Sequence, residues 1–420
     1  MKYKSVTGTR DVLPDEQPYW RLIESKIAEI TSLFGYQRVD PPIFEETALF
    51  VRGVGETTDI VEKEMYTFRD KSDSSLTLRP EFTAGVIRLY LQNGLHMLSK
   101  PVKVFSMGPV FRYERPQAGR FRQHTQFNVE AFGEQDAAID LEVMSVAWQL
   151  YAELGFQGLK FQLNSTGCPV CRPQYIDQLK HYYQGHVAEI CPDCNRRLER
   201  NALRLLDCKV PSCQPIIAAA PVISEHLCED CATHFGQLRQ HLDLLERPYA
   251  INHKLVRGLD YYTKTVFEVW AQGIGSQNAM CGGGRYDGLI EQLGGEPTPG
   301  IGFGSGIERI ILSMKGQNLP PQILPAPQIV VAHLGTDAEK VAVETVFRLR
   351  GHKIPALMCF GDRSLKSQMR EANRLNARFI IILADHEVET HTVTIKNLQD
   401  GSQVEINRAD VVAHFAAEAP

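Results

Sequence analysis

Nothing in the 420-residue chain approaches the ~18 consecutive apolar residues of a membrane span, and the opening MKYKSVTGTRDVLPDE holds no apolar leader core. The expectation is a cytoplasmic protein. No charge of one sign dominates. The formal net charge of -5 excludes an overall basic surface, yet it leaves room for local patches that bind phosphates. GxxxxGK[ST], GxGxxG and HExxH are all missing, which removes the P-loop, the Rossmann fingerprint and the zinc-protease helix. What remains, 43% hydrophobic and 23% charged residues, is the composition of a globular protein too long for one ordinary core. Two or three domains are expected.

Cysteine is unevenly spread. Eight of the ten fall between Cys168 and Cys231, in the pairs Cys168/Cys171, Cys191/Cys194, Cys208/Cys213 and Cys228/Cys231. Two thiolates separated by two residues reach one zinc ion, and CKVPSC, with four between, also fits. In a reducing compartment such clustering points to metal rather than disulfides. Four pairs make two tetrathiolate sites, or one site plus spare thiols, or simply reduced cysteines packing a small helical insert.

The central stretch is Phe105 to Gly133, FSMGPVFRYERPQAGRFRQHTQFNVEAFG. Two strand-like runs flank an arginine-rich loop holding Arg115, Arg120 and Arg122. Alternation puts Arg112 and Glu114 on one face of the first run, opposite Phe111 and Tyr113. In the second run Gln126, Asn128 and Glu130 share a face, and Phe127 and Val129 take the other. A paired hairpin would then be apolar on one side and carry fixed charges and amides on the other. A half-buried sheet with a solvated polar face has the same pattern.

Other stretches sharpen this. Trp20, Ile23, Ile27, Ile30 and Phe34 recur at helical spacing before Gly35. YQRVDPPIFEE is extended, and Pro41 and Pro42 suggest an edge strand. In LTLRPEFTAGVIRLYL, Glu81 and Thr83 stand where strand gives way to helix, suited to capping or to holding an ammonium group. KLVRGLDYYTKTVFEVW sets Arg257, Asp260, Tyr261 and Tyr262 ahead of a strand. Gly282, Gly283 and Gly284 allow close approach to something flat or phosphorylated. Gly300, Gly302, Gly304 and Gly306 leave one strand face bare. Arg309 then lies in the first turn of a helix, where the helix dipole disfavours a cation unless an anion sits between them.

QNLPPQILPAP, residues 317–327, reads as a linker. Beyond it, strands and helices alternate as in an α/β domain and end in a hairpin turning at Asp400-Gly401. Lys366, Arg370, Arg374 and Arg378 recur every four residues as a basic stripe on the second helix. Such a stripe is a solvated face or a phosphate-contacting one.

Arginine on a strand, a cationic loop, and an arginine opening a helix after a glycine-rich strand resemble the class II aminoacyl-tRNA synthetases. GYQRVDPPIF, FRYE with its loop, and GIGFGSGIERI are similar to that class's three motifs. LVRGLDYY and GGGRYDGL are similar to the two signature peptides of the histidyl-tRNA synthetase family, and TGTRDVLP and LRPEFTA are typical of it. The resemblance runs through nearly the whole chain in order.

It implies an α+β catalytic domain with a mainly antiparallel sheet over residues 1–320. A cysteine-rich, mostly helical insertion would occupy 165–245, and an α/β anticodon-binding domain 328–420. It implies a homodimer that uses ATP with Mg2+, L-histidine and tRNA(His). Arg112 and Arg309 would hold the α- and γ-phosphate ends of a bent ATP. Glu114 and Arg120 would line the nucleotide site, with Arg122 assisting. Arg257 would bridge the histidine carboxylate and the α-phosphate. Glu81, Thr83 and Gln126 would hold the α-ammonium group, and Glu130 with one or both of Tyr261 and Tyr262 would bond the imidazole. The basic stripe would meet tRNA, and any zinc would be structural. His124, Thr125 and Asn128 depart from the family pattern and leave loop contacts open. The alternative is a silent relative that serves as a regulatory subunit of ATP phosphoribosyltransferase. Such relatives typically lose the signature arginine and the anticodon domain, both of which this chain keeps.

Overall fold

The computed structural model describes residues 3–55, 58–115, 119–272, 279–321 and 329–416. Apolar spacing sets the first element: Trp20, Ile23, Ile27 and Ile30 are buried along one side of α1 (Gln17–Leu33). The proline-bearing run divides. β1 (Gln37–Arg38) and β2 (Phe44–Glu46) join different sheets, so the expected single edge strand is two short ones. Pro41 and Pro42 form the link, and their carbonyls accept from Arg79 at 2.7 and 3.3 Å. After α2 (Thr47–Val54), β3 (Tyr66–Arg69) and β4 (Ser75–Leu78) complete a small antiparallel sheet of order β2-β4-β3.

α3 (Thr83–Gln92) leads to the long hairpin of β5 (Val102–Phe111) and β6 (Gln123–Phe132), paired from Val102↔Phe132 to Phe111↔Gln123. β5 stops at Phe111, so Arg112 to Glu114 lie beyond the strand, and Tyr113 is exposed instead of joining the apolar face. Residues 116–118 of the arginine-rich loop are outside the described set. Next come α4 (Ala137–Glu153), β7 (Lys160–Ser165) and the cysteine region with α5 (Arg172–Gln184), α6 (Pro192–Arg200), α7 (Gln214–Ala218) and α8 (Glu229–Leu244). β8 (Tyr249–Ile251), β9 (Thr263–Trp270), β10 (Ala279–Arg285), α9 (Leu289–Gln292), β11 (Gly300–Gly306) and α10 (Ile307–Gly316) close the first unit.

Its main sheet runs β1-β5-β6-β11-β10-β9-β7-β8, antiparallel from β5 to β7 with a parallel pair at each edge. One face packs Phe127, Val129, Phe267 and Phe303 against side chains of α1, α4, α8 and α10. The other face carries the polar row of β6. The insertion has its own core, from Tyr175 to Ile223. Phe235, Leu238 and Leu242 of α8 instead join the main core, so the independently packed part ends before the expected residue 245.

A second compact unit covers the described residues 329–416. Residues 322–327 of the expected linker lie outside the described set. β12 (Ile329–His333), α11 (Thr336–Gly351), β13 (Ala356–Met358), α12 (Leu365–Arg374), β14 (Phe379–Leu383), α13 (Asp385–Thr390), β15 (Thr392–Asn397), β16 (Gln403–Asn407) and α14 (Val411–Ala416) follow. The sheet order is β13-β12-β14-β15-β16, with alternate residues of β12 and β14 buried in separate clusters on its two faces. Among the described residues, no helix is long and apolar enough to cross a membrane.

Candidate active site

The polar row of β6 is tied together along its length. Gln126 Nε2 donates to Asn128 Oδ1 at 3.0 Å, and Asn128 Nδ2 donates to Glu130 Oε1 at 2.7 Å. Thr83 Oγ1, at the start of α3, donates to the same Glu130 oxygen at 2.5 Å, and the Tyr286 hydroxyl donates to the other. The paired strand opposite is the glycine strand: Gly302, Gly304 and Gly306 face Glu130, Asn128 and Gln126. A Cβ on Gly304 would stand 2.5 Å from Gln126 Nε2, and one on Gly302 would collide with the Glu130 carboxylate. The bare strand therefore first makes room for its neighbour's side chains, which its sequence does not reveal.

Burial pushes the Glu130 pKa up to about 8, against hydrogen bonds from Thr83, Tyr286 and Asn128 that pull it down. Glu81 is also raised by burial, while the backbone N–H groups of Ala84 and Thr83 donate to it at 2.9 and 2.7 Å. Glu81 thus caps the start of α3 and lines the cavity as well. Tyr261 packs between Tyr262, tilted at 50°, and Tyr286, edge-on at 75°, with centroids 4.7 and 5.6 Å away. The Tyr262 phenol lies close enough to Arg257 for each to shift the other's ionisation.

Glu81, Thr83, Gln126, Asn128, Tyr261, Tyr262 and Tyr286 line a cavity of about 750 Å³ together with Arg112, Glu114, Arg120, Arg257 and Arg309, whereas Glu130, bonded to three of them, is buried and is not among the lining residues. Arg112 Nε donates to the Pro80 carbonyl at 2.7 Å. Glu114 accepts from Arg120 at 3.2 Å. Arg122 turns away, its guanidinium 3.8 Å over the Tyr113 ring, so it is not among the lining residues. Arg309 Nη1 donates to the Ala279 carbonyl at 3.1 Å. Burial and then the Arg120 charge depress its pKa, against the carboxylates of Glu268 and Glu114. Arg257 Nη1 donates to Glu268 Oε1 at 2.9 Å, and its Nε is buried without a partner. Its guanidinium occupies the space that a Gly282 side chain would fill. His124 is held neutral, its pKa lowered to about 4 by burial and then by Arg112.

Several lining residues escaped the sequence reading. Tyr286, rather than Tyr261 or Tyr262, reaches Glu130. Glu268 holds both Arg257 and Trp270 Nε1, the latter at 2.9 Å. A lone carboxylate inside the apolar run TVFEVW was the available signal. The insertion reaches the rim, where Arg204 and Arg197 pair with Asp59 at 3.3 and 3.6 Å and Asn201 donates to Asp260 at 2.8 Å. Arg204 and Lys209 line the cavity.

The eight clustered cysteines form two quartets, Cys168/Cys171/Cys228/Cys231 and Cys191/Cys194/Cys208/Cys213, with the four sulfurs of each within 4.8 Å of one another. Measured Sγ–Sγ separations are 3.7 Å for Cys168–Cys228, and 3.8 Å for Cys168–Cys171, Cys171–Cys231 and Cys191–Cys208. Four ligands at a Zn–S bond length of ~2.3 Å sit at tetrahedron corners about 3.8 Å apart. All ten cysteines are free thiols.

In the second unit Lys366, Arg370 and Arg374 are exposed along α12, opposite buried Gln368 and Ala372. The helix ends at Arg374. Arg378 therefore falls outside it, its guanidinium 4.8 Å over the Phe379 ring, and the helical stripe is three residues, not four.

The family model described as Histidyl-tRNA synthetase matches residues 8–169 and 186–310, and one described as Anticodon binding domain matches 328–418. The histidine–tRNA ligase of Dehalococcoides mccartyi is 48% identical over 404 residues, covering 96% of this chain and 97% of that protein. That of Moorella thermoacetica is 48% identical over 407 residues, 96% of each chain. The crystal structure of apo S. aureus histidyl-tRNA synthetase superposes with a TM-score of 0.83 at 34% identity, covering 98% of this chain and 99% of that one.

Proposed function

The chain belongs to the histidyl-tRNA synthetase family, and on that footing we propose that it is a histidine–tRNA ligase acting on L-histidine, ATP and tRNA(His). A histidine carboxylate oxygen attacks the α-phosphorus of ATP, and the bond to the bridging oxygen breaks. Pyrophosphate leaves, and histidyl-adenylate remains. The hydroxyl at the tRNA 3′ end then attacks the acyl carbon, and AMP leaves. The reaction belongs to the cytoplasm, where tRNA is charged.

The observation that carries this reading is the juxtaposition, in one cavity, of the hydrogen-bonding groups Thr83, Gln126, Asn128 and Tyr286, three of them bonded to buried Glu130, with an arginine group suited to phosphates. Imidazole offers one donor and one acceptor, which Glu130 and Tyr286 match, with Tyr261 and Tyr262 completing the wall. A side chain lacking those groups could not replace the hydrogen bonds that it displaces from the row, a discrimination of ~10⁴–10⁵ that requires no editing. Glu81, Thr83 and Gln126 take the ammonium group. Arg257 bridges the histidine carboxylate and the α-phosphate, and its unpartnered Nε supports a role completed by substrate. Arg112, Arg120 and Arg309 receive the phosphates beside Glu114, and Mg2+ enters with ATP as the phosphates' counter-ion.

Each cysteine quartet would hold one tetrahedral zinc ion, which supplies folding energy to the insertion. The α12 face contacts tRNA phosphates. The chain pairs as a homodimer, a state for which the exposed apolar residues Leu33, Ile43 and Phe44 are candidate contacts. Labelled histidine, ATP and tRNA should yield histidyl-tRNA and AMP in equal amounts. A protein that binds histidine and ATP but forms neither product is the regulatory alternative.

A further inference from the structure

The two cysteine quartets differ in what they hold. Cys191, Cys194, Cys208 and Cys213 sit within the insertion's own core. Cys168, Cys171, Cys228 and Cys231 sit at its root, where β7 ends and pairs with β9, Ser165 opposite Thr265. Cys171 precedes α5 and gives the helix no side-chain cap. Arg172 follows it, and its guanidinium donates to the Thr166 carbonyl at 2.7 Å, the Gly167 carbonyl at 3.1 Å and the Tyr262 carbonyl. Two backbone bonds lock the same spot: Thr166 N–H to the Lys264 carbonyl at 2.7 Å and Lys264 N–H to the Gly167 carbonyl at 2.8 Å. Gly167 has φ +64, and a Cβ there would meet Cys171 Sγ at 2.9 Å, so the quartet and this crossing are packed as one piece. From Tyr262 the contact runs through Tyr261 and Tyr286 to Glu130.

Building on the zinc reading above, we infer that a metal ion in the root quartet is a positioning element for the histidine pocket. It fixes the first turn of α5, so that Arg172 clamps the Tyr262 carbonyl and sets the tyrosine wall against Glu130. The distal quartet holds the insertion core and, through Arg204 and Lys209, the cavity rim rather than the tyrosine wall. Outer-shell partners of this kind are worth roughly 10–100-fold in the function they orient.

The test uses full-length protein purified without chelator, metal analysis, and pyrophosphate exchange. Wild type should carry about two zinc ions per chain, and Cys228→Ser and Cys208→Ser about one each. Cys228→Ser should raise the KM for histidine by about 10-fold or more, with the KM for ATP within about two-fold. Cys208→Ser should change the histidine KM by less than about two-fold. Arg172→Lys should keep both ions and reproduce the histidine defect, which carries the test if Cys228→Ser does not fold. Wild type without metal removes the zinc reading and this inference with it. Loss of one zinc ion with an unchanged histidine KM in Cys228→Ser, or both ions with an unchanged histidine KM in Arg172→Lys, overturns the positioning role and leaves the zinc reading standing. Equal histidine defects in the two cysteine variants overturn the assignment to the root quartet.

Discussion

The two ends of the cavity are built on opposite principles. At the Glu130 end the side chains are buried and already bonded to one another: Glu130 is 1% exposed, and Thr83, Asn128 and Tyr286 all donate to it. At the other end Arg120 is 49% exposed, and Arg309 shares its neighbourhood with that second cation. A pre-bonded, desolvated row selects, because the wrong ligand strands buried polar groups. A group of partly solvated arginines accelerates, because it gains most when charge develops on phosphate. Arg257 stands between the two, anchored to Glu268 on one side with its Nε unpartnered.

That contrast can be broken by substitution. Arg257→Ala should cut adenylate formation by at least ~10²-fold, the cost of one oriented transition-state donor. Near-wild-type exchange from a folded variant would remove Arg257 from the chemistry. Glu130→Gln should raise the histidine KM by roughly 5–100-fold and spare the ATP KM, since a buried polar group left without its partner costs about 1–3 kcal/mol.

The same residue makes a pH prediction. Its folded pKa of about 8 lies above the ordinary carboxylate value, so the folded state holds a proton that the unfolded state has lost. The contribution to stability is full below ordinary carboxylate titration and disappears as pH rises towards 8. Thermal melts of the unliganded protein should therefore lose stability over that window, and Glu130→Gln should flatten the loss. A wild-type and variant pair with parallel profiles would contradict it.

Smaller effects are expected from exposed charge. Arg120→Ala should cost only about ten-fold in exchange, and the difference should shrink as salt screens the site. A salt-independent loss would place Arg120 with the buried end. Neutralising Lys366 and Arg370 together should weaken tRNA binding several-fold and reduce its salt slope by about two, leaving adenylate formation unchanged. Unaltered tRNA affinity in that double variant would count against the α12 face.

What was legible in the sequence follows from which interactions are local. Alternation along β6 placed Gln126, Asn128 and Glu130 on one face because period two is a property of a single strand. Helical spacing likewise marked α1. Strand order is not local. Tyr286 reaches Glu130 because β10, β11 and β6 are neighbours in the sheet, and no spacing in the chain records that adjacency. The cysteine pairs were visible, but their partnership was not: the first pair joins the last across sixty residues, and the middle two join each other. A glycine run suggests space for a ligand, whereas the first occupants here are Glu130, Gln126 and Arg257. The four-residue repeat carries on to Arg378 although the helix stops at Arg374, because the repeat continues past the helix's last buried position, Ala372.

The most direct test of the account is pyrophosphate exchange into ATP with each of the twenty amino acids in turn, without tRNA. The expected result is exchange with histidine alone, which requires both ends of the cavity to work as assigned. Exchange with a different amino acid would contradict the pocket assignment. Silence with all twenty, from folded protein that still binds histidine, would contradict the catalytic reading itself.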